Sequence, residues 1–248
     1  MIRLIVCFAY ISGYLLYSTI ELRRLKKLNP LLSVAEKDRI IHATPKRWSR
    51  TIMKLTGSKV DVIGEENIPE GAVVFISNHE GDFDVPVLLG YLAKPFGFIS
   101  KMEVKKVPVM RTWMDLLSCV FIDRRDRRQA ITSIREGAEI LKKGHSMVIF
   151  PEGTRSKGGA VGTFKSGSFR LAKDGGVPIV PVSIQGTADV FEKNGRLIRP
   201  AGITVTIGNP IMPKIFLVKD LKQVAEEVRQ TIIRNMDTPP NKKHQPAG

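Results

Sequence analysis

The stretch Ala72-Val73-Val74-Phe75-Ile76, running through Asn78-His79-Glu80-Gly81-Asp82-Phe83-Asp84 into Val85-Pro86-Val87-Leu88-Leu89, reads as a strand that turns straight into a helix. The first run is short, apolar and rich in β-branched residues, as a buried strand requires, and Pro86 suits the first turn of the helix that follows. His79 and Asp84 fall at the corner between them. A histidine beside a carboxylate can serve as a general base whose tautomer and orientation the carboxylate fixes, the arrangement a hydroxyl needs before it attacks a carbonyl. The same residues admit a plainer reading, with Asp84 as the helix N-cap and His79 as a loop residue.

Two further corners share this form. Met147-Val148-Ile149-Phe150 ends in Pro151-Glu152-Gly153-Thr154-Arg155-Ser156, and Val120-Phe121-Ile122 runs into Asp123-Arg124-Arg125-Asp126-Arg127. Three strands thus deliver polar residues at their C-terminal ends, the edge where open α/β sheets hold ligands. Arg124, Arg155 and Arg127 offer forked donors suited to a phosphate, although an isolated Arg is more often a solvated surface charge. Glu152 beside Arg155 is expected as a structural ion pair that fixes the guanidinium.

Beyond residue 60 the chain alternates between strand and helix patterns. Strands are expected at 60–63, 73–77, 96–100, 120–123, 147–150, 179–184 and 203–207. The clearest helices are 128–142, with Asp126 as cap and Gly144 as stop, and 219–233. The pattern is α/β, a single mixed sheet flanked by helices and preceded by an N-terminal membrane-associated helical segment. The expected division is 1–57, membrane-anchoring helices; 58–236, the α/β domain; and 237–248, a disordered tail rich in proline and polar residues.

Lys plus Arg number 39 against 24 Asp plus Glu, a formal charge of +15 and a pI near 10.0, so the surface favours an anionic partner. Leu4 to Ile20 carries no charge, and Arg3 before it and Arg23, Arg24, Lys26 and Lys27 after it make both ends basic. The run is long enough for a marginal span or a re-entrant segment, and if both basic ends stay on the cytoplasmic side it dips into the membrane and returns on that face. A cleaved signal peptide fits poorly, because the run leads into Glu21-Leu22-Arg23-Arg24 with no small-x-small site. Ser33-Val34-Ala35-Glu36 is a capping box, and Thr44-Pro45 predicts a fresh N-cap that kinks or breaks the helix before Gly57. Apolar Ile40, Ile41, Trp48, Ile52, Met53 and Leu55 interleave with cations there, as in an interfacial helix; the other reading is a helix packed on the α/β domain. Cys7 and Cys119 lie far apart, which argues against a disulfide framework and allows a reducing compartment.

Four ordered blocks carry a resemblance: Asn78-His79 to Asp84, Phe121-Ile122-Asp123-Arg124, Phe150 to Ser156, and Val177-Pro178-Ile179-Val180-Pro181-Val182, with Phe164-Lys165-Ser166-Gly167 between the last two. From about residue 60 to 187 the chain resembles the glycerolipid acyltransferase superfamily, most closely its 1-acyl-sn-glycerol-3-phosphate acyltransferases. Two positions depart from that pattern. Gly81 stands where the family usually has Ser, and Ser118 where it commonly has Gly.

The resemblance implies that His79 is the general base and Asp84 its partner in direct acyl transfer from a thioester to a lysophosphatidate hydroxyl. It also implies that Arg124, Glu152, Gly153, Thr154, Arg155 and Lys165 hold the acceptor phosphate. Lys101 or backbone N–H groups of the corner are candidates for the oxyanion. The implied partners are lysophosphatidic acid, acyl carrier protein or acyl-coenzyme A as donor, and an anionic membrane surface, on the cytoplasmic face of the inner cell membrane. No cofactor, metal or nucleic acid is expected. No Gly-x-Ser-x-Gly elbow, Walker A loop or zinc-finger spacing occurs, and Cys119 in an apolar run would be inert. Two readings from other classes are a metal-dependent transferase using Asp82-Phe83-Asp84, a weak motif, and a non-catalytic basic membrane binder.

Overall fold

The computed structural model describes residues 1–237; of the tail expected at 237–248, Asp237 is the last residue of a helix and the rest lies outside the described residues. All seven expected strands form, as β1 (Lys59–Ile63), β2 (Val74–Ser77), β3 (Gly97–Lys101), β4 (Val120–Ile122), β5 (Met147–Ile149), β6 (Ile179–Gln185) and β7 (Gly202–Ile207). They make one sheet in the order β1-β7-β6-β2-β5-β3-β4. Every pairing is parallel except β6 with β7. The sheet is therefore mixed, with its parallel strands covered on both faces as such strands must be.

The period of two along each strand sorts the core into two layers. Phe75, Val148, Val180, Val182 and Ile184 face one side, where helices α2 (Val34–Thr56) and α3 (Asp84–Tyr91) pack. Val74, Ile76, Met147, Ile149 and Ile179 face the other, against α5 (Arg127–Lys142) and α8 (Leu221–Asp237). Asp126 caps α5 through hydrogen bonds from the Arg128 and Gln129 N–H groups, as its position predicts. Helices α4 (Pro108–Leu116), α6 (Arg170–Gly175) and α7 (Pro213–Phe216) complete the chain.

The N-terminal helices are part of this core. Helix α1 (Ile2–Leu25) turns Cys7, Ser18, Leu22 and Leu25 inward, and a hydrogen bond from Trp113 Nε1 to Ser18 Oγ at 2.9 Å ties it to α4. The Ser33 capping box forms, but Thr44 does not cap a new helix: α2 continues through Pro45, with both residues buried. Ile52 and Met53, which one of the two readings above put on an interfacial helix, are 2% and 0% exposed in the sheet's core layer. Helix α2 therefore packs on the α/β domain, and residues 1–57 share a core with the sheet.

Between α4 and β4, Ser118 takes the left-handed conformation, φ 55°. Its carbonyl lies 2.7 Å from where a Cβ on Gly97 would stand, and Leu117 O lies 2.5 Å from the same point. Glycine at 97 is what lets this corner close onto β3.

Candidate active site

Strands β2 and β5 are neighbours in parallel register, Ile76 opposite Ile149, so the turns that follow them meet. His79 Nδ1 lies 2.6 Å from Asp84 Oδ2. Asp84 is fully buried, and its carboxylate also accepts hydrogen bonds from Gly81 N at 3.1 Å and from the Thr187 hydroxyl. A carboxylate so placed holds the proton on Nδ1 and leaves Nε2 as the basic nitrogen. The imidazole stacks on Phe150, ring centroids 4.1 Å apart and planes 16° from parallel, so its plane is fixed as well. Asp84 is the first residue of α3 rather than its N-cap, which is Phe83 with no side-chain cap; the plainer reading of Asp84 fails.

Glu152 is 6% exposed and bonded inward. Its oxygens accept from His79 N at 2.8 Å and Gly162 N at 2.9 Å. It is a brace under the histidine, and the ion pair expected with Arg155 is absent. Gly153 at φ 72° sends the two side chains apart, and Arg155 instead pairs with Asp82. Arg124 donates to the Gly153 carbonyl, which joins the β4 and β5 corners.

A cavity of about 460 Å³ opens in front of the histidine. His79, Lys101, Arg124, Gly153, Thr154 and Arg155 are among its lining residues. Trp48, Val85, Leu89, Phe98, Met110 and Met114 are among the apolar residues that continue it toward α1. Glu152 and Lys165 do not line it: Lys165 is exposed, with its amine behind Gly153, 2.6 Å from the point where a Cβ would stand. Among the corner's backbone donors, Gly81 N is engaged by Asp84 and Asp82 N by Glu192 at 2.7 Å. Neither is free to meet an oxyanion, and Lys101 remains the cavity's candidate. Burial pushes the Cys119 thiol up to about 12, and its sulfur accepts from Phe98 N, so it offers no nucleophile.

Four residues that the sequence reading missed complete the site. Thr187 and Glu192 come from the segment after β6, about a hundred residues from the histidine. Phe150 ends a strand and opens a matching block in the sequence, with no role at the site expected of it. Glu80, buried, accepts from Gly186 N and Ala188 N and lies 3.1 Å from the Thr187 hydroxyl oxygen, whose one proton goes to Asp84; burial followed by the nearby Asp84 charge raises its pKa. The one available signal was Gln185-Gly186-Thr187, a fourth polar strand end at the same edge of the sheet.

The Acyltransferase family model matches residues 59–185, just over half of the chain and the span that builds these corners. The chain belongs to the acyltransferase family. A probable 1-acyl-sn-glycerol-3-phosphate acyltransferase of Mycoplasma pneumoniae is 34% identical over 189 residues, 72% of this chain and 71% of that protein. A chloroplastic 1-acyl-sn-glycerol-3-phosphate acyltransferase of Brassica napus is 32% identical over 209 residues, 83% of this chain but only 60% of that longer protein. Among solved structures, the 1-acyl-sn-glycerophosphate acyltransferase PlsC from Thermotoga maritima superposes with a TM-score of 0.82 at 28% identity, covering 97% of each chain. In this acyltransferase, too, the N-terminal helices fall within the shared architecture, since the match extends well beyond residues 59–185.

Proposed function

We propose that this acyltransferase moves a fatty acyl group from a thioester to the sn-2 hydroxyl of 1-acyl-sn-glycerol 3-phosphate, giving phosphatidic acid. The observation that carries the reading is one cavity lined together by His79, which Asp84 holds, by the cations Lys101, Arg124 and Arg155, and by a set of apolar side chains. A lysophosphatidate has a phosphate, a free hydroxyl and an acyl chain. Relatives named for that acceptor support the same choice.

His79 Nε2 takes the proton as the hydroxyl oxygen attacks the thioester carbonyl, and Asp84 stabilises the imidazolium that forms. Collapse of the tetrahedral intermediate breaks the C–S bond, and the leaving thiolate takes the proton back from Nε2. No acyl-enzyme is needed. Arg124 and Arg155 hold the phosphate, with Thr154 and the Gly153 backbone beside them, and Lys101, on the wall of the same cavity, meets the developing oxyanion. Glu152 acts from beneath by fixing the His79 backbone, and Lys165 buttresses the Gly153 turn. The Asp-x-Asp alternative loses support, since Asp84 is taken by His79, Gly81 and Thr187 and Asp82 by Arg155.

The same reading places the protein on one leaflet of the cytoplasmic membrane face. Ile5, Phe8, Leu16 and Ile20 on α1 are 62–70% exposed, while the opposite side of the helix packs on α2 and α4 along its length. A helix held against the domain in this way lies in the interface rather than crossing it. Turnover of purified protein in mixed micelles, with lysophosphatidate, glycerol 3-phosphate and other lysolipids each crossed against acyl carrier protein and coenzyme A thioesters, tests the assignment. Turnover with lysophosphatidate above all other acceptors is expected; preference for an acceptor without a phosphate would refute it.

A further inference from the structure

The Glu192 carboxylate sits in a place that only glycine at 81 leaves open. A Cβ on Gly81 would stand 2.5 Å from Glu192 Oε2 and 2.8 Å from Oε1. The Glu192 side chain is 8% exposed. Its Oε1 accepts the Asp82 N–H at 2.7 Å and lies 3.9 Å from Arg155 Nη1, while its Oε2 is buried with no hydrogen-bond partner. Burial, then the neighbouring Asp82 and Asp84 charges, raise its pKa against the pull of its hydrogen bonds. A carboxylate kept in such a place, one oxygen unsatisfied, is costly for a residue that only fills space.

Its partners give it a use. Asp82 carries Arg155 on its side chain and is itself held by Glu192 through its backbone. Arg155 is 36% exposed and lines the cavity. Arginine on a flexible stem loses affinity for each rotamer it must freeze on binding, so a guanidinium already anchored binds an anion better than a free one.

We propose that Glu192 is a positioning residue for the acceptor phosphate: seated over Gly81, it fixes Asp82 and through it the Arg155 guanidinium at the cavity wall. This rests on the reading of Arg155 as a phosphate ligand. Glu192 touches no reacting atom, so its loss acts on acceptor binding and leaves the chemical step intact. Gly81 and Glu192 form one device, because a methyl at 81 must evict the carboxylate.

Steady-state kinetics on the full-length protein, varying lysophosphatidate and acyl thioester separately, test this in Glu192→Ala, Gly81→Ala, their double variant, Glu192→Gln and Arg155→Ala. The acceptor KM is expected to rise about 3–10-fold in Glu192→Ala and in Gly81→Ala, with kcat within about twofold and the donor KM unchanged. The double variant is expected to match either single one, because both remove the same contact. Glu192→Gln, which keeps an acceptor for the Asp82 N–H, is expected to recover most of the affinity. An unchanged acceptor KM in both Glu192→Ala and Gly81→Ala, additive effects in the double variant, or a loss confined to kcat would overturn the proposal. A wild-type acceptor KM in Arg155→Ala would overturn the phosphate site itself, and the positioning role with it. Gly81→Ala keeps the test open should Glu192→Ala fold poorly, since the backbone at 81 already suits alanine.

Discussion

Asp84 accepts three hydrogen bonds in full burial, from His79, Gly81 and Thr187, and so leaves the imidazole one orientation. On the proposed reading the arginines act on the acceptor phosphate. Arg124 both faces the cavity and holds the Gly153 carbonyl, so Arg124→Ala removes a charge-assisted donor and loosens the turn beside it. Acceptor KM is expected to rise by roughly one to two orders of magnitude, with the donor KM little changed, in kinetics that vary each substrate. The placement of His79, Asp84, Arg124 and Arg155 was legible because each follows a strand at the ligand-bearing edge. Glu152 was misread because an interval of three residues suggests a pair, and the positive φ of Gly153 undoes it. Thr187 and Glu192 were illegible, because their partners are about a hundred residues away and no spacing rule reaches so far.

Among the elements, strands and caps followed from pattern because each is a local balance of burial and hydrogen bonding. Helix α2 did not. Thr44-Pro45 has the local chemistry of a start, but both residues are buried against the domain, and tertiary packing carries the helix through a proline that local preference would end it at. The corner before β4 invites a stability test. Ser118 at φ 55° carries a left-handed conformation that costs a non-glycine residue about 1–2 kcal/mol, and glycine's extra chain entropy takes back about 0.5–1 kcal/mol. Ser118→Gly is therefore expected to stabilise the fold by about 0.5–1 kcal/mol, read as a higher urea midpoint; a lower midpoint would mean that the serine side chain does more than the structure shows. Helix α1 offers a second test. Removing residues 1–57 would expose the core around Ile52 and Met53, so membrane contact is better tested on the outer face alone. Phe8→Asp with Leu16→Asp is expected to cut binding to anionic vesicles at least tenfold, because each side chain buried in lipid contributes about 1.5–3 kcal/mol. Circular dichroism should be unchanged.

At the scale of the whole molecule, one buried group links the N-terminal helices to acid stability. His42 on α2 is 4% exposed, its ring is 5.0 Å from that of Phe96, and its Nε2 has no partner. Burial, helped by the nearby Lys46 charge, lowers its pKa to about 4. Between its unfolded value of 6.5 and about 4, the unfolded chain binds a proton that the folded one refuses, so stability falls as pH drops through that window. The loss is about 2 kcal/mol by pH 5. Urea unfolding of His42→Leu is expected to lack that part of the slope. An identical slope in both proteins would locate the acid sensitivity elsewhere. The proposed function turns on one step, in which His79, held by Asp84, takes the proton of the acceptor hydroxyl as that oxygen attacks the acyl thioester at the membrane surface. The most direct measurement is turnover of purified, folded His79→Ala on vesicles containing lysophosphatidate with an acyl thioester, beside the wild type. The account predicts a loss of at least about 10²–10⁴-fold with the acceptor still bound; a folded His79→Ala that keeps most of its turnover would contradict it.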